Sequence, residues 1–222
     1  MAASASTTVL GALGLAVLAV VLDPLWRWTG KLETLVHEAG HATMLLVTGN
    51  WPTEVVIGSG RRAGGHTGLP DRPIFLPSAV AAASAGYAAP SVAGLVLARS
   101  VDRGWSPVSV LAGLLVVLVV LALFHGNWTA LLVISTAGSL LALFLWRAAP
   151  AVQVGVVVAL AWFLLLAGLR SMWEIADVPA SKITDFTYLA RRTGVPAEIW
   201  FLSVGLAAMF SLFLGAGWLL TH

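Results

Sequence analysis

The sequence predicts an all-α polytopic membrane protein of about seven transmembrane helices, with a short β-hairpin after the second of them. Three observations carry that prediction. Of 222 residues, 59% are hydrophobic and only 10% are charged, against about 25% charged in a soluble domain. Mean hydropathy is +0.93, and the apolar residues fall in long uncharged runs. Those runs are about 17 to 25 residues long, which is the length a helix needs to cross a bilayer.

Taken in order, the candidate spans lie near 5 to 22, 32 to 49, 75 to 98, 106 to 124, 128 to 146, 151 to 170 and 199 to 220. The first has no Lys or Arg before its apolar run and no small-residue cleavage site, so it reads as a retained helix ending near Asp23 and not as a cleaved signal. Trp26 and Trp28 flank Arg27 just beyond it, a pattern suited to anchoring at the membrane interface. From Gly104 to Trp146 there is no charged residue, but "FHGNW" supplies a polar turn, so two helices in a hairpin fit better than one span. No internal repeat, low-complexity tail or linker separates a second domain, and residues 1–222 read as one unit.

Composition also excludes several functions. With no cysteine, the chain has no disulfide, iron-sulfur or cysteinyl zinc chemistry, and any metal must be held by His, Asp or Glu. A net charge of +2 is too thinly spread to suggest a nucleic-acid partner. Assigning loops alternately to two faces puts Arg27, Lys31, Arg99, Arg103 and Arg147 on one side, and Arg61, Arg62, Arg72, Lys182, Arg191 and Arg192 on the other. Five against six gives no orientation by the positive-inside rule.

The chemistry concentrates in "LETLVHEAGHATMLLV", residues 32 to 47. His37 and His41 are four apart, so on a helix they stand about 40° apart around the axis and one turn apart along it, on one face. Two imidazoles so placed can grip one zinc ion at about 2.0 to 2.1 Å. Glu38 follows the first histidine, where it can reach a water on the metal without itself being a ligand. Together they spell His-Glu-x-x-His, the motif of zinc metallopeptidases. Ionisable groups are costly inside a membrane helix and usually mark function there, which favours a metal site over a polar helix contact. Ala39 and Gly40 are small enough for a neighbouring helix or a substrate backbone to come close.

With "HEAGHATMLLVTG", the segment after it, and "TDFTYLARRTGVPAEIW" at 184 to 200, the chain resembles the site-two protease family of intramembrane zinc metallopeptidases, in its compact bacterial branch. The resemblance implies a multi-pass protein of a bacterial cell membrane that hydrolyses peptide bonds of membrane-embedded protein substrates within the lipid bilayer. It implies Zn2+ as cofactor, His37 and His41 as ligands, Glu38 as catalytic base, and Asp185 as third ligand. The family's Leu-Asp-Gly motif is missing here. Counting spans also sends Asp185 to the face opposite His37, unless a re-entrant segment around 174 to 190 or a non-crossing helix intervenes. Asp23 and Asp102 then stand as fallback ligands, and Asp185 can equally begin a short amphipathic helix as its cap.

Between these motifs, "TEVVIGSGRRAGGHTGL" at 53 to 69 has the β-branched residues and glycine-rich turn of a hairpin. By the same resemblance it offers an edge strand beside the site, able to capture an unwound substrate by β-addition; an ordinary surface hairpin fits the residues as well. His66 is a spare ligand or a solvated loop residue. Asn127 is an oxyanion donor or, more in keeping with "HGNW", a turn residue. Arg170 and Glu174, four apart, should form a local ion pair. Two rival functions share these residues: a non-catalytic membrane zinc-binding scaffold, and a proton- or metal-coupled transporter.

Overall fold

A computed structural model describes residues 2–59, 64–176, 178 and 184–221. Arg61, Arg62 and Lys182, three of the cations counted above, lie outside the described residues. The chain runs α1 (Ala2–Val21), α2 (Asp23–Val47), β1 (Val55–Ile57), β2 (Gly65–Thr67), α3 (Leu76–Asp102), α4 (Pro107–Ala122), α5 (Trp128–Arg147), α6 (Pro150–Ala176), α7 (Asp185–Thr193) and α8 (Ala197–Leu220).

Seven spans are more than length and apolarity support. Among the described residues four helices, α3, α5, α6 and α8, are long and apolar enough to cross a membrane. A fifth span is counted only if α1 and α2 are taken together, and these meet at a bend of 98°. The apolar helix α4 has 16 residues, about 24 Å at 1.5 Å per residue, short of the roughly 30 Å hydrocarbon layer.

The bend corrects the expected second span, 32 to 49. Pro24 stands in the first turn of α2, where a proline's missing N–H costs nothing, so the helix restarts at Asp23 directly after α1 ends. The stretch read as an interfacial anchor is therefore helical. Trp28 is 76% exposed as an anchor should be, but Trp26 is buried, its indole N–H donating to Glu174 Oε1 at 2.8 Å.

Close approach of small residues fixes the centre. Helices α3 and α6 run antiparallel, Ser91 lying against Gly168 and Gly94 against Leu165 and Ala161. A Cβ added at Gly94 would sit 2.8 Å from the Leu165 backbone nitrogen, so the two backbones meet there with no room for a side chain. Around that seam Leu97, Ala98, Val157, Ala161 and Leu165 are buried. Outward, α4 exposes Val116 and Val119, and α8 exposes Phe210 and Phe213. Apolar side chains on the rim of a helical bundle suit a lipid surround, in which every backbone polar group is satisfied within its own helix.

These pairings also sort the loops. The end of α6 lies by the end of α1, where Arg170 reaches Val20 O and Asp23. From there the short α5–α6 and α4–α5 turns alternate between the two ends of the bundle. Val55 donates to Phe124 O at 2.6 Å and accepts from Gly126 N at 2.8 Å, which ties the hairpin to the α4–α5 turn. Helix α2, the hairpin, the start of α3, the end of α6 and α7 thus gather at one end. Helix α2 lies across that end, at 98° to α1.

The hairpin forms where the sequence predicts one. Val55 pairs with Thr67, Val56 with His66 and Ile57 with Gly65, antiparallel. Residues 124–126 occupy the other side of β1, leaving β2 as the edge strand among the described residues. Asn127 caps α5 by accepting from Ala130 N at 2.9 Å, and donates to Ile57 O at 2.8 Å. Its amide is spent on the turn and on β1, which answers the oxyanion alternative in favour of the turn.

Candidate metal centre

One face of α2 carries Glu33, His37 and His41 at successive turns, with Glu38 beside them. All four line a cavity of about 580 Å³ between α2, α3, the end of α6, α7 and the hairpin. The two imidazole Nε2 atoms are 3.1 Å apart, and Asp185 Oδ2 lies 3.2 Å from that of His37 and 3.3 Å from that of His41. Among the described residues His37, His41 and Asp185 form a group that could hold a metal ion.

The donor set fits zinc. Two ligands about 2.05 Å from a tetrahedral ion stand about 3.3 Å apart, close to all three separations here. The orientation of His41 is fixed from behind: its Nδ1 lies 2.7 Å from Ala82 O, so the N–H donates there and Nε2 keeps its lone pair for an ion. Among the described residues three protein donors converge, the number that a catalytic zinc site uses beside its open position.

Asp185 arrives by the non-crossing route. Helices α3 to α6 run alternately between the two ends of the bundle, so the chain comes back to the end it left. Thr184 caps α7, its hydroxyl accepting from Thr187 N while Thr187 Oγ1 accepts from Thr184 N. This capping box makes Asp185 the first helical residue, so the cap role considered for Asp185 belongs to Thr184. Phe186, next along, stacks on Tyr87 at 4.8 Å, and Tyr87 meets the His37 ring edge-on at 4.4 Å. A chain of aromatic contacts from α3 thereby sets both the His37 ring and the helix carrying Asp185. Burial alone would raise the Asp185 carboxyl, but hydrogen bonds and charge from the two imidazoles, through Nε2 protons whose place an ion would take, outweigh it and hold the group well below the usual carboxylate range. It is therefore an anion, ready to ligate.

Glu38 is only 2% exposed. Its Oε2 lies 2.8 Å and its carbonyl oxygen 3.1 Å from Thr67 Oγ1, so the hydroxyl on β2 can donate to either. A Cβ at Gly65 would fall 2.6 Å from Glu38 Oε1. The hairpin thus touches the glutamate along its edge strand, and only glycine leaves room for that. Gly86 plays the same part on α3, since a Cβ there would collide with both histidine rings. Gly40, noted for its size, faces Ala85 and Ala89 and lets α2 and α3 close up.

Several candidates stand elsewhere. Asp23 pairs with Arg170 at 3.0 Å, and Asp102 pairs with Arg99 at the far end of α3, so neither fallback ligand joins the group. His66 is a mostly exposed β2 residue 3.7 Å from Glu54 Oε1. Arg170 and Glu174 pair at 3.1 Å, as their spacing predicts. Thr67, Gly86, Tyr87 and Ala82 carried no legible signal, because each acts through a contact made by chain folding. Glu33 did carry one: it lies one helical turn before His37.

Fold and site together define a helical membrane protein built round a candidate metal centre. The chain belongs to the Peptidase M50B-like family, whose model matches residues 10–215. That membership agrees with the resemblance to the site-two protease family and implies a metallopeptidase hydrolase. Comparison with curated proteins and with solved structures gave no significant match.

Proposed function

We propose that the protein is an intramembrane zinc endopeptidase that cleaves membrane-embedded protein segments, with His37, His41 and Asp185 as ligands and Glu38 as catalytic base. The observation that carries this reading is the convergence of the three donor atoms beside a buried glutamate. When bound, zinc supplies an acidified water and polarises the scissile carbonyl. Glu38 accepts the proton of the attacking water and passes it to the leaving amine. Thr67 orients the Glu38 carboxylate for both transfers. The free edge of β2 can take an unwound substrate as an added strand, placing its backbone against Glu38. A fourth protein ligand, which a storage or scaffold site would favour, is missing from the group among the described residues.

Purified protein in bicelles should cleave a membrane-spanning peptide, lose that activity to a chelator and regain it with stoichiometric zinc. Protein that holds zinc yet cleaves no membrane peptide would support the scaffold instead, and zinc- or proton-coupled flux in liposomes would support the transporter.

The topology also bears on orientation. Because α2 does not cross, the described cations sort as Arg27, Lys31, Arg72, Arg170, Arg191 and Arg192 at the site's end, against Arg99, Arg103 and Arg147 at the other. By the positive-inside rule the site opens toward the cytoplasm. Since the chain has no cysteine, single substitutions can test this. In intact cells an impermeant maleimide should label Arg103→Cys, and should reach Arg72→Cys only after lysis; the reverse pattern would invert the assignment.

A further inference from the structure

Glu33 has no part in the mechanism above, yet among the described residues it is a buried carboxyl group with an unpartnered oxygen. It is 5% exposed, and its Oε1 has no hydrogen-bond partner among the described residues. Ser171 stands beside it in the cavity wall. Burying an unpaired carboxylate costs several kcal/mol in general, which favours either protonation or an opposite charge brought to it.

The neighbouring cations are engaged elsewhere. Arg170 is held by Asp23 Oδ1 at 3.0 Å and Glu174 Oε1 at 3.1 Å, and Lys31 Nζ donates to Gly58 O at 2.8 Å. No Lys or Arg appears among the described residues lining the cavity, whereas four carboxylates do: Glu33, Glu38, Glu174 and Asp185. A divalent ion would balance Asp185 and Glu38, and Arg170 is shared between Glu174 and Asp23. Glu33 lines the cavity with a buried Oε1 that no described residue meets.

Resting on the protease reading, we propose that Glu33, with Ser171 beside it, forms a subsite for a basic side chain of the substrate, lysine or arginine, close to the cleaved bond. Glu33 lies four residues before His37, about 6 Å along the helix. An extended peptide advances about 3.3 Å per residue, so the side chain received is about two residues from the scissile bond. The expected substrates fit. Transmembrane segments carry Lys and Arg in their cytoplasmic flank, the side to which the cavity opens. A site built to pair with a charge discriminates strongly against the uncharged analogue, because rejection leaves its own buried acceptor unmet.

The test uses membrane-spanning peptides in which one lysine is moved through the positions flanking the cleaved bond, each matched by a norleucine peptide lacking only the charge. Cleavage is followed with the wild type and binding with the Glu38→Gln variant, both in bicelles. At one position lysine should improve binding and kcat/KM roughly ten- to a hundredfold, the range of a hydrogen bond to a charged group. Glu33→Gln should erase that preference, and Glu33→Asp, which keeps the charge, should retain part of it and serves if the glutamine variant is unstable. Equal handling of lysine and norleucine at every position overturns the subsite, and so does a lysine preference that survives Glu33→Gln. A rate loss in Glu33→Gln that is the same for both peptides overturns it in favour of proton relay. If nothing is cleaved the protease reading fails, while the binding comparison still decides the subsite; peptides that do not bind at all overturn both.

Discussion

Replacing Glu38 with glutamine should lower turnover of a membrane peptide by about 10²- to 10⁴-fold, the usual worth of a positioned proton-transfer group, while zinc content stays at the wild-type level. The amide matches the carboxylate in shape, and its oxygen can still accept from Thr67, which lies 2.8 Å from Oε2. What it cannot do is take a proton from water. Glu38 is also outside the donor group of His37, His41 and Asp185, so its charge is not needed to hold the ion. Single-turnover kinetics alongside metal analysis separate the two effects. Full activity in the variant would remove Glu38 as base, and loss of zinc would recast it as a ligand.

Asp185→Ala should cost roughly a hundredfold or more in zinc affinity, since even outer-sphere substitutions at zinc sites cost about 10- to 100-fold. The Asp185 oxygen is 3.2 and 3.3 Å from the two imidazole nitrogens, and no other acid in the described residues replaces it there. Asp23→Ala and Asp102→Ala are the controls, because both aspartates are bound to arginines away from the cavity. Competition with a chelator of known affinity gives the three constants. Retention of zinc by Asp185→Ala, or its loss in either control, would reassign the third ligand.

How much of this could be read beforehand depends on whether the cause was local. The shared face of His37 and His41 on α2 was legible because i, i+4 spacing is a property of any helix, and the hairpin because β-branched residues flank a glycine-rich turn. Asp185 entered by resemblance alone, and span counting argued against it. That count failed at Asp23 and Pro24, where local sequence permits either a loop between two spans or a bent restart. The choice was made by distant contacts, Trp26 on Glu174 and Asp23 on Arg170. Once α2 lies across the bundle, the parity of crossings changes and Asp185 falls beside His37. Thr67 was hidden for the same reason. A threonine in a strand shows no sign of the carboxylate it will meet from a helix 29 residues away.

The proposed third ligand sits on a nine-residue helix that packs on α3 and α8 and hangs from the chain far from the motif. An ion joining His41 to Asp185 would close a loop of 185 − 41 = 144 residues, removing about 5 kcal/mol of disorder from the unfolded chain on the scale used for cross-links. Loading the ion and securing the tertiary structure then become one linked equilibrium, in which the cofactor behaves as a rivet as much as a reagent.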